Sequence, residues 1–249
     1  MGTSSIKRVH KRGAGLLGVT VWGEVVGALE QIIEEYERVN HVISWFQDDR
    51  TRLIGLNKIG CSEGAALELG SGPGNYSRMI SRFHDGDLIC LDFSDKMLMA
   101  SRHRNKDLGS HYVRGVFEAL PIRNGSMGFV TSAYALRDSL YKPLVIKDAC
   151  DALASGGRFL LIDVGKPDNR IVRGFMSFYL RYLVPVMGGL TAGHGYRNPW
   201  SKLYNTFEEL PPNRSLKAIV EGHLVDVEKV EIVLGAFLII WGIKPADRM

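Results

Sequence analysis

What the 249-residue chain lacks narrows it first. Cysteine is scarce: Cys61, Cys90 and Cys150 are the whole set, and no C-x-x-C spacing occurs. An odd, scattered set argues against a disulfide framework and for a reducing compartment. No apolar run reaches the ~18 residues that a membrane span needs. Charge of one sign is not in large excess, with a formal net charge of +4. The only basic cluster, Lys7-Arg8 with His10-Lys11-Arg12, reads as a solvated arm and not as a nucleic-acid site. The histidines (His10, His41, His84, His103, His111, His194 and His223) show no metal-ligand spacing, so no metal is expected. Internal repeats and low-complexity tracts are absent. Residues 13–23 are uncharged and follow basic residues, as in a signal peptide. Glycines at 13, 15, 18 and 23 interrupt that stretch, however, Glu24 follows it at once, and no clear cleavage site appears. A cytoplasmic protein is expected, with a peripheral membrane location left open.

Against these absences, 45% hydrophobic and 23% charged residues describe an ordinary globular chain. Its length fits one large domain, or one domain with an elaboration. The informative stretch is Ala65-Ala66-Leu67-Glu68-Leu69-Gly70-Ser71-Gly72-Pro73-Gly74-Asn75. It reads as a short buried strand entering a glycine-rich turn that opens a helix, where backbone N–H groups favour polar or anionic ligand groups. A P-loop would need Gly-Lys-Ser/Thr, where Gly-Asn-Tyr stands here. A dinucleotide site would need G-x-G-x-x-G. The spacing is instead E-x-G-x-G-x-G, similar to motif I of S-adenosylmethionine-dependent methyltransferases. The acid two residues before the first glycine, Glu68, is of a type that pairs with a ligand ammonium. A second apolar strand over 87–91 ends in Asp92-Phe93-Ser94. An acid there, about 20 residues past the glycines, suits a ribose diol. Ser94 or Asp95 would cap the next helix, which carries Met97 and Leu98.

Strands and helices then alternate, predicting an α/β fold: a Rossmann-like, seven-stranded, mostly parallel sheet with helices on both faces and an antiparallel last strand. Helical spacing over 25–45, continued over 50–59, predicts an N-terminal helical lid. Further strands are expected over 111–114, 127–133, 158–164, 225–234 and 236–243, and helices over 142–154, 171–189 and 215–222. Residues 155–157 would end the helix before the fifth strand. Residues 193–212 would be loop-rich. The expected organisation is an arm and lid over 1–62, then a methyltransferase domain over 63–249 with a substrate-covering insertion around 168–212. Ligands in such sheets bind beyond the carboxyl ends of the strands. Gly70 to Gly74, Asp92, the Val116-Phe117 loop and Ala133 to Asp138 all fall there. The large apolar residues of 171–189 would either pack on the sheet or cover an apolar pocket.

The order of these parts resembles the ubiquinone/menaquinone-biosynthesis C-methyltransferases, from about Tyr36 to Pro245. The resemblance is carried by Tyr36-Glu37-Arg38-Val39-Asn40 with Ser44, by Phe117-Glu118-Ala119-Leu120-Pro121, by Tyr134-Ala135-Leu136-Arg137-Asp138, and by Gly156-Gly157-Arg158 with Lys166-Pro167. It implies S-adenosyl-L-methionine as cofactor and S-adenosyl-L-homocysteine as product. Glu68, Gly70, Ser71, Gly72 and Gly74 would hold the methionine end. Asp92 would take the ribose, while Phe93, Met97, Val116 and Phe117 would enclose the adenine. Ala133 and Tyr134 would flank the sulfonium, with Arg137, Tyr36 and Asp138 around the catalytic site. Val116 stands where the family has Asp or Asn, Asp138 where it has Asn, and Ala154-Ser155 where it has Lys-Pro.

The expected acceptor is a small, apolar aromatic molecule, a quinol or phenol that carries a prenyl tail in the lipid case, methylated on carbon. Methylation of O or N in another small molecule, or a non-catalytic cofactor-binding subunit, are the alternatives. Nucleic acid is not expected, since no Asn-Pro-Pro-Tyr motif follows the fourth strand. Membrane contact to reach a lipid substrate and a homodimer remain open. Arginine stays protonated, so Arg137 would stabilise a phenolate while Asp138 or a water takes the proton.

Overall fold

A computed structural model describes residues 33, 35–60, 62–193, 195 and 198–246. The basic cluster at 7–12, the uncharged stretch at 13–23, the first part of the helix read over 25–45, Cys61 and His194 lie outside it, as does the side chain of Tyr36.

The strands are β1 (Ala65–Leu69), β2 (Leu88–Asp92), β3 (His111–Arg114), β4 (Met127–Ala133), β5 (Leu153–Val164), β6 (Val225–Ile232) and β7 (Phe237–Ile243). They form one sheet in the order β3-β2-β1-β4-β5-β7-β6. Strands β1 to β5 are parallel, and β7 runs antiparallel to both of its neighbours. The chain starts at β1, builds outward to β3, then crosses back to β4. Strand order therefore reverses between β1 and β4, where sheets of this kind open a crevice for ligands.

The helices are α1 (Tyr36–Ser44), α2 (Gln47–Ile59), α3 (Asn75–Ile80), α4 (Asp95–Arg104), α5 (Lys142–Ala152), α6 (Arg170–Phe178), α7 (Val184–Ala192), α8 (Leu203–Glu208) and α9 (Asn213–Glu221). A π-helical turn, Tyr179–Leu183, joins α6 to α7. Strand side chains alternate between faces. Leu67 and Leu69 pack with Leu91, Val130, Phe159 and Leu161 under α5 and α9. Ala66 faces the other side, with Cys90, Phe129, Leu160 and Ile162 under Leu56 and Ile59 of α2 and Tyr76 and Ile80 of α3. A third cluster lies off the sheet: Val39, Leu180, Val184, Trp200 and Phe207 tie α1 to the segment from α6 to α8. Burying side chains of this size is worth ~1.5–3 kcal/mol each, enough to hold α1 across the carboxyl ends of the strands.

Four expectations are revised. The helix read over 25–45 ends at Ser44, because Trp45 and Phe46 turn left-handed (φ 54° and 59°) and α2 restarts at Gln47. Residues 155–157 do not separate α5 from the fifth strand; β5 already pairs from Leu153, and Gly156 (φ 75°) sits in a bulge between the Met127–Leu153 and Phe129–Arg158 pairs. The loop-rich span after residue 193 contains a 3₁₀ turn, Pro199–Lys202, and α8, both anchored by buried Trp200 and Phe207. The helix over 171–189 is in fact two α-helices joined by the π turn.

Candidate active site

The glycine turn leaves β1 beside the switch point. Gly70 adopts φ 73°, and a Cβ there would run into the Cβ of Ala135 and meet the Phe117 ring at 3.0 Å. Gly72 is also left-handed (φ 53°), but has open space where its side chain would stand. Its N–H donates to Asp92 Oδ2 at 2.8 Å, and Ser94 N–H donates to Asp92 Oδ1 at 2.9 Å. Asp92 thus ties the turn to the end of β2. Ser94 is the N-cap of α4, accepting from Met97 N–H at 3.2 Å as expected. The Ser71 hydroxyl is buried without a hydrogen-bond partner among the described residues.

One cavity adjoins this turn and a second lies beyond it, on the other side of Tyr134. A narrow groove of about 70 Å³ is walled by Gly70, Gly72, Asp92, Phe93, Met97, Val116, Phe117, Ala133, Tyr134 and Asp138. Most of the residues predicted for the cofactor therefore meet in one place. A larger cavity of about 340 Å³ lies under α1 and α6, with Arg137 in its wall. Tyr134 lines both.

Tyr134 is held in an uncommon geometry. It follows β4 with φ 62°, a region that non-glycine residues rarely enter. Its N–H donates to Ile162 O at 2.7 Å, its hydroxyl lies 2.5 Å from Thr51 Oγ1, and the Arg52 guanidinium sits 5.3 Å from its ring centre. Burial pushes its phenol well above the ordinary range. Arg137 is fixed by Asp163 of β5: its backbone N–H donates to Oδ2 and its guanidinium to Oδ1, each at 3.0 Å. Asp163 is wholly buried. Asp138 lies 3.8 Å from the Arg137 guanidinium. Burial pushes its carboxyl up to about 6; Arg137 opposes that rise, and Asp163 adds to it.

Glu68 is placed differently from its neighbours. Alternation along β1 turns it to the α2/α3 face, where it is 1% exposed and walls neither cavity. Ser77 Oγ donates to it at 2.5 Å, and burial pushes it up to about 8 against the pull of Ser77 and Arg52.

Two cavity residues, Asp48 and Arg52, were not singled out from the sequence; they line the larger cavity from α2, beside Asn40 and Ser44 of α1, which the sequence offered only as part of the family resemblance. Asp48 accepts from Ser44 Oγ at 2.8 Å and contacts His41 Nδ1 at 2.9 Å. In sequence these side chains look like ordinary i,i+4 partners on a solvated helix, and only the turn at Trp45-Phe46 aims them inward. His41, Asp48 and Asp49 bring three ligand-type atoms within 4.8 Å. Arg52 donates to Asp49 at 2.8 Å and lies 3.6 Å from Asp48, so a guanidinium already supplies the positive charge there.

Comparison with known proteins identifies the family and the fold. The model of the ubiE/COQ5 methyltransferase family matches residues 21–244. The ubiquinone/menaquinone biosynthesis C-methyltransferase UbiE of Desulfotalea psychrophila is 27% identical over 218 residues, covering 86% of this chain and 88% of the relative. The demethylmenaquinone methyltransferase of Lactococcus lactis is 27% identical over 194 residues, 76% of each chain. An S-adenosylmethionine-dependent methyltransferase from Thermotoga maritima shares the fold, with TM-score 0.61 and 16% identity over 88% of this chain and 99% of its own. So does a Haemonchus contortus phosphoethanolamine N-methyltransferase in complex with S-adenosyl-L-methionine, with TM-score 0.60 and 13% identity over 79% of this chain and 52% of its own.

Proposed function

The chain belongs to the ubiE/COQ5 methyltransferase family and is an S-adenosylmethionine-dependent methyltransferase, and on that premise we propose that it methylates a ring carbon of a quinol or related phenol, prenylated in the lipid case, held in the larger cavity. The observation that carries this reading is Tyr134. One side chain in a constrained backbone is the shared wall of a polar-ended groove and an apolar cavity. A cofactor laid along the groove and a ring in the cavity would meet across it.

The groove suits the cofactor on its own chemistry. Gly72 leaves room for close approach, the buried Ser71 hydroxyl is without a partner among the described residues, and Asp92 is an acceptor-only carboxylate of the kind a ribose diol donates to. In this reading Phe93, Met97, Val116 and Phe117 enclose the adenine, and Ala133 and Tyr134 flank the reacting end. Gly70, Ser71, Gly72 and Gly74 hold the amino-acid end, with Glu68 acting from behind the turn. When bound, S-adenosylmethionine supplies a methyl group on a positively charged sulfur, already activated toward a nucleophile.

The chain's own work is to orient the ring and take its proton, since a ring carbon becomes nucleophilic when a neighbouring phenol is ionised. Arg137, steered by Asp163, stabilises the phenolate. Asp138, at about 6, is ionised at neutral pH and basic enough to accept the proton. Tyr36 completes the set on the family resemblance alone. Asn40, Ile43 and Ser44 of α1, with Val172, Phe175, Met176 and Tyr179 of α6 and the π turn, form the cover over the acceptor.

The test is to incubate the protein with isotope-labelled S-adenosylmethionine and either demethylated quinols or soluble phenols, and to locate the label in the product. Carbon methylation of the quinol is expected. Label on oxygen or nitrogen of soluble acceptors alone, or cofactor binding without turnover, would overturn the assignment.

A further inference from the structure

The helical segment from Arg170 to Ala192 turns a row of large apolar residues outward. Ile171, Phe175, Phe178, Tyr182, Leu183, Val186 and Leu190 are all exposed, Phe175 by 72% and Leu190 by 81%. Their spacing is that of one helix face. Beyond residue 183 the row would drift off that face, and the π turn corrects it. A π turn takes in one extra residue, which sets the following turns back by about 100°. Val186 and Leu190 thereby return to the line of Ile171 and Phe175. Two further exposed residues extend the patch, Trp45 (69%) after α1 and Leu234 (80%) in the β6–β7 turn. A continuous apolar patch of this kind on a folded protein marks a contact surface.

The charges identify the partner. Between residues 170 and 192 there are three arginines, Arg170, Arg173 and Arg181, and no Asp or Glu. Arg170, Arg173 and Lys166 line one open cleft on the flank of α6, with Glu208 as its single acid. The Arg181 guanidinium lies over the rings of Tyr182 and Tyr204, at 5.4 and 5.3 Å. Apolar side chains along one line with arginines beside them is the pattern of a helix lying in the plane of a bilayer interface. A second copy of the chain fits less well, because a two-fold contact would set these arginines against their own counterparts with no acid on the helix between them.

The patch also leads to the larger cavity. Trp45, Phe175, Val233 and Leu234 are exposed and at the same time line it. We propose that this face docks on an anionic lipid bilayer, so that a lipid acceptor enters the cavity from the membrane between Trp45, Phe175 and the β6–β7 turn. The entry route rests on the proposed acceptor; the docking does not. No helix of the described residues is long and apolar enough to cross a membrane, so the contact is peripheral.

The test is co-flotation of the full chain with vesicles of phosphatidylcholine alone or with added phosphatidylglycerol, without any acceptor. Binding to the phosphatidylglycerol vesicles and release by salt are expected. Each surface arginine is worth about fivefold in membrane affinity, so the Arg170→Gln, Arg173→Gln, Arg181→Gln variant should bind about a hundredfold more weakly. The variant Ile171→Ser, Phe178→Ser, Leu190→Ser should lose flotation while its turnover of a detergent-dispersed short-chain phenol stays unchanged, as none of the three lines the cavity. Wild-type protein that fails to float, or a serine variant that floats equally well, overturns the docking. A dimer that the serine variant dissociates, with vesicle binding intact, also overturns it. Flotation without methyl transfer to any phenol would leave the docking standing and remove the proposed acceptor instead.

Discussion

Replacing Asp138 by Asn should lower activity and raise stability together. Asp138 is 16% exposed at its side chain and is held at about 6 by burial, with the nearby Asp163 adding to the effect. In the unfolded chain an Asp titrates near ~4. The folded value is raised, so the stability linked to this group is fully present below about 4 and is lost as the pH rises through about 6. By neutral pH the loss is on the order of 3 kcal/mol, at about 1.4 kcal/mol for each pH unit separating the two states. Asn never ionises and avoids that loss. The variant should match wild type near pH 4 and be more stable above pH 6, read as the urea midpoint across that range. A positioned general base contributes about 10²–10⁴-fold. Turnover of the variant should fall by at least ~100-fold, and the rise of wild-type kcat through pH 6 should vanish. A variant that keeps the acidic limb of the kcat profile would refute the base assignment. One that gains no stability above pH 6 would refute the account of the carboxyl's environment.

If Glu68, which walls neither cavity and is held up to about 8 in the free protein, holds the cofactor from behind the turn, affinity by calorimetry should strengthen between pH 6 and 8 in wild type and stay flat in Glu68→Gln; a flat wild-type profile would make it a structural carboxyl. Gly70→Ala should destabilise by more than ~2 kcal/mol in thermal unfolding, since it adds a clash with the Ala135 Cβ to left-handed strain. Gly72→Ala, with open space around it, should cost only about 1 kcal/mol of stability yet weaken cofactor binding markedly. Asp163→Ala leaves the Arg137 guanidinium buried without its main partner and should cost about 3–5 kcal/mol, measured as a loss in the urea midpoint; a loss under 1 kcal/mol would mean that Arg137 rearranges into solvent.

The sheet was readable because its signals are local. Alternation and turn residues around Leu67, Leu91 and Val130 mark each strand, and five parallel strands with an antiparallel hairpin leave few ways to connect them. The pieces of the groove were readable for the same reason: each sits at the end of its own strand. The larger cavity was mostly hidden. Asp48 and Arg52 face it only because Trp45 and Phe46 take left-handed conformations, which few sequences announce at a Trp-Phe pair. The π turn at Tyr179 to Leu183 shows in the sequence only as a drift of the apolar row beyond residue 183, legible once the turn is known, and the bulge at Gly156 shows only in its glycines. Glu68 was assigned to a ligand by motif, and the parity of β1 sets it on the opposite side of the strand from Leu67 and Leu69.

The third cluster, where Val39 meets Leu180, Val184, Trp200 and Phe207, backs the larger cavity from segments more than a hundred residues apart, because Ile43, Met176, Tyr179 and Leu203 pack against it and line that cavity. None of its members belongs to either layer of the sheet. In the proposed reading, inherited changes in that backing can reshape what the larger cavity admits while the cofactor groove, lined by residues 70–138, is transmitted unaltered. Diversification of acceptors on a constant cofactor platform is the evolutionary behaviour that such a division favours.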